Sequence, residues 1–391
     1  MNHHESLRHI DFGVDKATFL NFYYEKNILH RKGAFNADIV PLSEVDSVLE
    51  HSDWNTNGFK LHDGREIALG SFTEDYDHLG LRRRRVDKKR FYELMRGGVS
   101  LVANSIDEHS RIVRSLCDEI AAFVEMPVVA NGYLTFGDKN PFGNHWDTHD
   151  VFAVQLLGRK RWQLFKPTFP LPLVNQKSKF CKAECPKDPV LDVILEAGDF
   201  IYIPRGWWHN AQGLNERTFH LAVGIHPPRM IDYVKWIAEQ LLPSKLEARR
   251  GARCADEASG AVDELTAALS ALVSDKENFR AFTMDWASKE RFKSSFDLSR
   301  YVEGGSESIE CHHRIALNTV SHVELSDKTI VVNGKVNTIS RIERDVIQML
   351  NERGSMSVTE LYEALELSPD DCREAVWALG VADVARILHD A

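Results

Sequence analysis

Long apolar runs, abundant cysteine and a surplus of positive charge are all missing from this sequence. We find no apolar stretch of about 18 residues, the length that a membrane-spanning helix needs. Six cysteines are too few for a disulfide scaffold, and no basic segment followed by an apolar one opens the chain. We therefore expect a cytoplasmic protein without a secretory signal. The net charge of −10 argues against general affinity for nucleic acid or an anionic membrane.

What is present is the composition of a globular protein with several domains. The chain has 391 residues, of which 43% are hydrophobic, so it can bury sizeable cores and is not disordered. Apolar residues at helical spacing predict helices at the positions 16–30, 42–50, 87–96 and 104–126. From Val128 to Ile225 short β-like runs alternate with turn residues, which is typical of a sandwich or barrel.

The pattern becomes helical again after Pro227-Pro228. We predict helices over 230–242 and 260–300, and a linker at Gly304-Gly305. The tail opens with a β-like segment whose Asn333-Gly334 pair predicts a hairpin turn. Short helices over 341–353, 357–366 and 369–379 beside that hairpin have the layout of a winged helix.

A triplet in the β region, His145-Trp146-Asp147, has the spacing of a metal site. On a strand, residues two apart point to the same face, so an imidazole and a carboxylate can converge on one ion. The run that ends in Gly206-Trp207-Trp208-His209 offers a third ligand. Two His and one carboxylate form the facial triad of non-haem Fe(II) oxygenases. The alternative is that His145 and Asp147 are surface turn residues, but the turn before them and the strands after them favour the metal site.

Three stretches around these residues carry a resemblance to a known family. Asn131–Gly137, Gly143–Trp162 and Leu195–His209 look like motifs of the JmjC/cupin oxygenases, in particular of the ribosomal-oxygenase group. The likeness also covers the lead around Phe19–Lys26, the helices after the β region and the tail. It implies an α+β fold with a double-stranded β-helix (cupin or jelly-roll) core and a helical lead. A helical dimerisation region and a winged-helix-like C-terminal domain would follow.

The same resemblance implies domain boundaries and an activity. We expect a JmjC/cupin catalytic domain with its helical lead over 1–229, a helical dimerisation region over 230–305 and a winged-helix-like domain over 306–391. Members of the family are Fe(II)- and 2-oxoglutarate-dependent protein hydroxylases, oxidoreductases that consume O₂ and release succinate and CO₂. The implied partners are a protein or peptide substrate, with a ribosomal component as one candidate, and a second copy of the chain.

Carried over position by position, the resemblance assigns five site residues. The metal ligands and catalytic residues are His145, Asp147 and His209. The cation that binds the cosubstrate carboxylate is Lys160, fifteen residues after His145. Tyr133, twelve residues before His145, is the tyrosine that binds the same carboxylate. Two alternatives remain open, because Lys160 could belong to a solvated Arg159–Arg161 turn and Tyr133 could be an ordinary core residue. If Trp162 packs inward, alternation along a strand places Lys160 on the same face.

This chain differs from the family at one position of the site. Two polar residues that follow the triplet also need an interpretation. Where relatives carry Thr or Ser on the late strand, this chain has Ala222, so the far end of the cosubstrate site must differ. His149 and Asp150 follow the triplet, and we expect both to support the site or the fold rather than to bind the metal.

Three further features admit competing interpretations. The basic run Arg82–Arg90 is either a solvated loop leading into a helix or a docking patch for an anionic substrate. Cys181, Cys185 and Cys311 do not have the spacing of a recognised zinc motif, so we expect free thiols. From Ser340 onwards five Arg stand against eleven acidic residues, which leaves a charge of −6 and argues against direct DNA binding by the tail.

The sequence thus predicts a 2-oxoglutarate-dependent dioxygenase that hydroxylates a side chain in a protein or peptide. Demethylation and small-molecule hydroxylation remain open. A rival of another class is a catalytically silent cupin that serves as a binding or regulatory module through its C-terminal domain.

Overall fold

A computed structural model describes residues 10–54, 58–251, 259–289, 296–319 and 328–388. The chain divides into two compact units, Met1–His226 and Pro227–Ala391. The first boundary lies close to the predicted domain end at residue 229. A further division of the second unit near residue 305 remains a prediction.

The first unit combines an eight-stranded and a three-stranded antiparallel sheet, a separate two-stranded hairpin, and helices. Its strands are β1 (Leu29–Arg31), β2 (Phe59–His62), β3 (Glu66–Ile67), β4 (Thr73–His78), β5 (Leu81–Val86), β6 (Ser100–Ala103), β7 (Val128–Thr135), β8 (Asp150–Leu157), β9 (Lys160–Phe165), β10 (Leu191–Leu195), β11 (Phe200–Ile203), β12 (Trp208–Gly213) and β13 (Thr218–Ile225). Its helices are α1 (Lys16–Thr18), α2 (Leu42–His51), α3 (Lys88–Arg96) and α4 (Arg111–Val124).

The larger sheet has the order β1-β11-β8-β13-β7-β6-β2-β3, and the smaller one has the order β10-β9-β12. Strands of the β region predicted over 128–225 supply both sheets. The lead was expected to be helical, yet it adds β1, β2, β3 and β6 to the larger sheet. The cause is a period of two, as on β2, where Phe59 and Leu61 are buried while Lys60 and His62 are half-buried.

Alternation along the strands separates a helix-packed core from the space between the sheets. On β8, Phe152 and Val154 belong to the large cluster that also contains apolar residues of α2 and α4. Ala153, between them, packs instead with Trp162 and Ile201 in a second cluster that joins the two sheets. Strand β8 is therefore buried on both faces, and the inward positions of the strands line the space in which the site lies.

The first predicted helix ends earlier than its periodicity suggests. Asp15 caps it, because its carboxylate accepts a hydrogen bond from the Thr18 amide at 2.8 Å. Helical structure runs only through Tyr23, and Glu25 takes a left-handed φ of 57°. Residues Leu29–Arg31 then pair with β11 as a strand, so the prediction of a helix over 16–30 is wrong in its second half. Tertiary pairing overrides the local pattern there.

The long helix predicted over 104–126 begins later than expected. Ser105 has a left-handed φ of 47°, and Ser110 is the cap, accepting a hydrogen bond from the Val113 amide at 3.2 Å. The helix therefore runs over Arg111–Val124, and the segment before it is a single turn. The predictions over 42–50 and 87–96 are confirmed by α2 and α3.

The basic run is a strand rather than a loop. Residues Leu81–Val86 pair with Thr73–His78 as a separate two-stranded hairpin. Arg82 and Arg84 both contact Asp75, and Arg85 contacts Glu74 at 2.7 Å. Cross-strand acidic partners thus neutralise much of the charge that the run presents in the sequence. The prediction that this run leads into a helix is correct, because α3 begins at Lys88.

The second unit contains two groups of elements, each with its own apolar cluster. Its helices are α5 (Met230–Trp236), α6 (Leu246–Arg249), α7 (Ser259–Ser274), α8 (Lys276–Lys289), α9 (Arg341–Arg353), α10 (Val358–Ala364) and α11 (Pro369–Val381). Its strands are β14 (Arg314–Leu317), β15 (Thr329–Val332), β16 (Lys335–Thr338), β17 (Ser355–Ser357) and β18 (Ala385–Leu388).

Local signals placed most of these elements correctly. Strands β15 and β16 meet at Asn333-Gly334, where both residues have positive φ, so the predicted hairpin is confirmed. Ser357 and Glu360 cap α10 reciprocally, which is the arrangement of a capping box. Within the described ranges, no helix combines the length and the apolar character that crossing a bilayer requires.

Candidate metal and cosubstrate site

The predicted metal ligands come together, although not by the strand geometry that we expected. His145 and Asp147 precede β8 in an irregular segment, and His145 makes an isolated bridge to His209, the second residue of β12. The bridge consists of two backbone hydrogen bonds of 3.1 and 2.8 Å, and the Gly206 amide donates to the Asp147 carbonyl at 3.0 Å. These bonds fasten the two ligand-bearing segments to each other.

Trp146 and Gly206 explain how the segments approach so closely. The Trp146 indole is buried with Trp208 on the side away from the ligands, which leaves the flanking His145 and Asp147 to share the other side. Gly206 has a φ of 84°, and a Cβ there would lie 2.6 Å from the Phe169 carbonyl oxygen. A side chain at residue 206 would force the turn apart.

The ligand atoms of the three residues all lie within 4.8 Å of one another. The Nδ1 atom of His145 lies 2.9 Å from the Gly143 carbonyl, and that of His209 lies 3.0 Å from the Trp207 carbonyl. Because a carbonyl can only accept, each Nδ1 carries the proton and each Nε2 keeps a free lone pair. His209 Nε2 lies 3.5 Å from Asp147 Oδ2.

The charge states of Asp147 and His209 also suit a cation. Burial lowers the pKa of His209 to about 4, with a contribution from neighbouring His145, so its ring is neutral near pH 7. Burial acts to raise the pKa of Asp147, but the charges of His145 and His209 outweigh it and the net shift is downward. Two imidazoles and one carboxylate are the donor set of non-haem Fe(II) sites, so the residues present fit that ion.

Lys160 lies inside the first unit and not in a solvated turn. Its residue is 6% exposed, and it lines the same pocket as the three ligand residues. Trp162 lines that pocket too, so the expected alternation on β9 is correct. Arg161, between them, is on the outer face and pairs with Asp192 at 2.6 Å. Burial lowers the pKa of Lys160 to about 7.

Tyr133 and Ala222 lie in the pocket at neighbouring positions of the larger sheet. Both line the cavity, Tyr133 from β7 and Ala222 from β13. Burial, followed by the charge of Asp147, raises the pKa of the Tyr133 phenol, so it is a neutral donor at physiological pH. Ala222 brings no polar atom, and the pocket is apolar at that point.

Sequence reasoning missed part of the pocket lining. The remaining lining residues are Ser100, Asn140, Pro141, Phe142, Val151, Ile203, Ala211 and His220. Residues 140–142 lie in an irregular segment with no periodic signal. His220 has a signal, because it is two positions from Ala222 on one strand and so faces the same side.

Comparison with known families now gives these residues a context. Residues 103–233 match the family model described as "JmjC domain". This part of the chain is similar to JmjC domains, and we refer to it as the JmjC domain. The match includes the three ligand residues, Lys160, Tyr133 and His220, and it confirms the resemblance that the sequence motifs indicated.

Curated relatives match part of the chain. The chain is 33% identical over 132 residues to a protein from Drosophila persimilis named "Bifunctional lysine-specific demethylase and histidyl-hydroxylase NO66". That match covers 34% of this chain and 18% of the relative. The protein of the same name from Caenorhabditis briggsae is 28% identical over 246 residues, which is 60% of this chain and 30% of the relative. The chain therefore spans less than a third of the length of either relative.

Solved structures share the fold over nearly the whole chain. The structure titled "X-Ray structure of E. coli ycfD" has a TM-score of 0.63 at 19% identity, and the match covers 97% of this chain and 100% of that one. A structure described as YcfD, a ribosomal oxygenase from Escherichia coli, in complex with cobalt and 2-oxoglutarate has a TM-score of 0.60 at 16% identity, covering 97% and 99%. The chain thus has a mixed helix-and-sheet fold that contains a cupin-like JmjC domain.

The polar neighbours of the ligand segment in the JmjC domain have structural partners. Asp150 is fully buried, and its Oδ1 accepts a hydrogen bond from the Tyr202 hydroxyl at 2.7 Å. The ring of His149 stacks on His226 at 5.1 Å. Neither residue belongs to the group of three ligands, in agreement with the expectation for both.

The cysteines of the JmjC domain do not build a second metal site. Cys181 and Cys185 are free and pack against the cluster of Trp146, Phe165 and Trp208. Across the described ranges, the group of His, Cys, Asp and Glu side chains close enough to share an ion is the one formed by His145, Asp147 and His209. Cys311, in the second unit, is also free, so the expectation of unpaired thiols is confirmed for these three residues.

Proposed function

We propose that this chain is a 2-oxoglutarate-dependent non-haem Fe(II) dioxygenase that hydroxylates an amino-acid side chain in a protein or peptide. One observation carries the proposal: a His-Asp-His group and a buried lysine line the same pocket of a JmjC domain. The His-Asp-His group suits Fe(II), and the buried lysine suits the distal carboxylate of the cosubstrate.

Each residue has a defined task in this proposal. His145, Asp147 and His209 hold the ion through two Nε2 atoms and one carboxylate oxygen. When bound, Fe(II) supplies the oxidation of an unactivated C–H bond by O₂, coupled to decarboxylation of 2-oxoglutarate to succinate and CO₂. Lys160 orients the cosubstrate by pairing with its distal carboxylate, and the Tyr133 hydroxyl donates to the same group. Trp162 and Phe142 line the pocket and exclude water from the reacting groups.

The names of the relatives support a protein substrate. The insect and nematode relatives are named histidyl-hydroxylases and lysine-specific demethylases, and the bacterial structures are described as a ribosomal oxygenase. We propose hydroxylation of a protein side chain, with a ribosomal component as the first candidate. Lysine demethylation is the second candidate, because it would begin with the same C–H oxidation.

We expect the purified protein to convert 2-oxoglutarate to succinate when Fe(II) is added, even without its substrate. Succinate measured by mass spectrometry would exceed the yield of an Asp147→Asn variant, in which the carboxylate ligand is replaced by an amide. Equal yields from both proteins would contradict an enzyme and favour the catalytically silent binding module. Mass spectrometry of proteins from a strain that lacks this protein would then identify the substrate. Its peptide would be lighter by one oxygen atom than the same peptide from the wild type.

We further propose a homodimer through the helices between Met230 and Arg300. The apolar side chains between residues 231 and 237 fall into two groups: Ile231 and Val234 of α5 are 40% and 39% exposed, whereas Ile237 is buried against Phe282. Exposed Phe279 and other apolar side chains on α7 and α8 add to the uncovered surface. Light scattering at micromolar concentration should give the mass of two chains, and Val234→Asp should halve it. A monomeric mass for the wild type would contradict the proposal.

For the C-terminal region we propose a winged-helix-like domain that serves an interaction rather than direct DNA binding. Helices α9, α10 and α11 pack on a three-stranded sheet of order β17-β14-β18, beside the hairpin β15-β16. This layout departs from the usual one, since the central strand β14 precedes the helices in the chain. The acidic balance of the region supports a protein partner.

We also propose a reducing compartment, the cytoplasm, for this protein. Cys117, Cys181, Cys185, Cys311 and Cys372 are free in the structure. Unpaired thiols are typical of proteins kept under reducing conditions.

A further inference from the structure

His220 is a buried polar residue of the pocket to which no role has yet been given. It is 4% exposed and lies on β13 two positions before Ala222, so both residues face the pocket. Its chain neighbours Phe219 and Leu221 point the other way, into the helix-packed core. A histidine at an inward position of a closed pocket has lost its hydration and needs a partner.

That partner is the lysine assigned to the cosubstrate. His220 Nδ1 lies 3.3 Å from Lys160 Nζ. Lys160 must be an ammonium to pair with a carboxylate, and an ammonium can only donate, so in that state Nδ1 is the acceptor and the ring carries its proton on Nε2. Burial, then the charge of Lys160 and that of His209, lowers the pKa of His220 well below its usual value, so the ring is neutral beside the ammonium.

Aromatic neighbours on two other strands hold the imidazole in this orientation. Its ring stacks on Tyr133 of β7 with centroids 5.0 Å apart and an interplanar angle of 13°. Trp162 of β9 meets it edge-on at 5.2 Å and 89°. Rotation of the ring about its own axis would move Nδ1 away from Lys160, and these contacts oppose that rotation. The acceptor is therefore fixed before any ligand arrives.

Lysine needs such a fixed acceptor more than arginine would. Its ammonium sits on a flexible four-carbon stem and has three donors that can rotate. One donor directed at His220 leaves the other two to face a bound carboxylate. Ala222 supplies no hydroxyl at the neighbouring position, so the orienting contact in this chain comes from His220 instead.

We propose that His220 is the positioning residue for Lys160, setting the direction of its ammonium for a dicarboxylate cosubstrate. This inference rests on the proposed function and deepens it. His220 acts through Lys160 and not through the metal, which distinguishes it from a residue that merely supports the fold.

The test is an anaerobic calorimetric titration of 2-oxoglutarate into the Fe(II)-loaded full-length protein and its variants. His220→Leu, which removes the acceptor at similar volume, should raise the Kd about tenfold, the effect of losing one hydrogen bond to a charged group. His220→Asn places an amide oxygen near the position of Nδ1 and should restore affinity to within about threefold of the wild type. His220→Gln places its amide near Nε2 and should bind as weakly as His220→Leu, so the Asn and Gln pair tests the geometry with polar side chains alone.

Two further measurements separate positioning from other roles. Fe(II) affinity without cosubstrate should be the same in all His220 variants. In a Lys160→Met background, His220→Leu should add no further loss of cosubstrate affinity, because the interaction is already absent. An unchanged Kd in His220→Leu, equal Kd values for Asn and Gln, or the same loss in both backgrounds would overturn the proposal. Wild-type protein that binds Fe(II) but no 2-oxoglutarate would instead refute the proposed function, and this inference with it.

Discussion

Replacing His145 by alanine is expected to abolish metal retention and 2-oxoglutarate turnover together. The variant would leave His209 and Asp147 as two donors on one side of the ion. Changes in the groups that merely orient ligands weaken metal binding by about 10–100-fold, so loss of a ligand should exceed a hundredfold. Metal content after gel filtration, an Fe(II) titration and succinate production are the three measurements.

His149→Ala is the matched control for the metal prediction. It removes an imidazole four residues along the same segment, but that ring stacks on His226 and lies outside the group of three ligands. We expect it to keep its metal and most of its turnover. Full turnover by His145→Ala, or equal loss in both variants, would show that the metal assignment is wrong.

Lys160→Ala is expected to weaken 2-oxoglutarate binding by on the order of a hundredfold or more while metal binding survives. Removing one partner of a buried charge pair typically costs about 3–5 kcal/mol, and about 1.4 kcal/mol corresponds to a factor of ten. Lys160→Arg should rescue part of the affinity, because the charge remains but the planar fork has a different reach. The measurement is an anaerobic titration of 2-oxoglutarate into the Fe(II)-loaded protein.

Arg161 provides the matched control for Lys160. It is the next residue on β9, it carries the same charge, and it lies on the outer face paired with Asp192. Arg161→Ala should therefore leave the dissociation constant unchanged. If the dissociation constant for 2-oxoglutarate were unchanged in Lys160→Ala, Lys160 would not bind the distal carboxylate, and another residue such as Tyr133 would have to do so.

The same titration should depend on pH with a sign set by burial. Burial lowers the pKa of Lys160 to about 7, and a bound carboxylate raises it again. Binding therefore takes up a proton, so affinity is greatest below pH 7 and falls by up to about tenfold per pH unit above it. The groups lining the pocket with it are His220, Tyr133, His209, His145 and Asp147. Lys160→Arg should abolish this dependence, since a guanidinium stays charged.

Elements whose cause lies within a few residues could be predicted from the sequence. Asp15 and Ser357 cap helices through their own side chains, and Asn333-Gly334 forms a hairpin because both residues adopt positive φ. Elements that depend on distant pairing could not. Leu29–Arg31 follows a helical pattern but becomes a strand because β11 offers its free edge. Arg82–Arg85 has the charge of a solvated loop but pairs with acidic residues across a hairpin.

The sequence by itself determined which groups are available to the site: two imidazoles, a carboxylate and a lysine at the spacings of a known motif. Residue identity fixes donor chemistry, and alternation fixes which side of β9 bears Lys160. Only the tertiary structure decided how the ligands meet, since His145 and Asp147 are joined to His209 by a backbone bridge and not by a shared strand face. It alone brought His220 to 3.3 Å from Lys160, because these residues lie sixty positions apart and belong to strands of different sheets. A contact between two sheets depends on how they pack, and no local pattern encodes it.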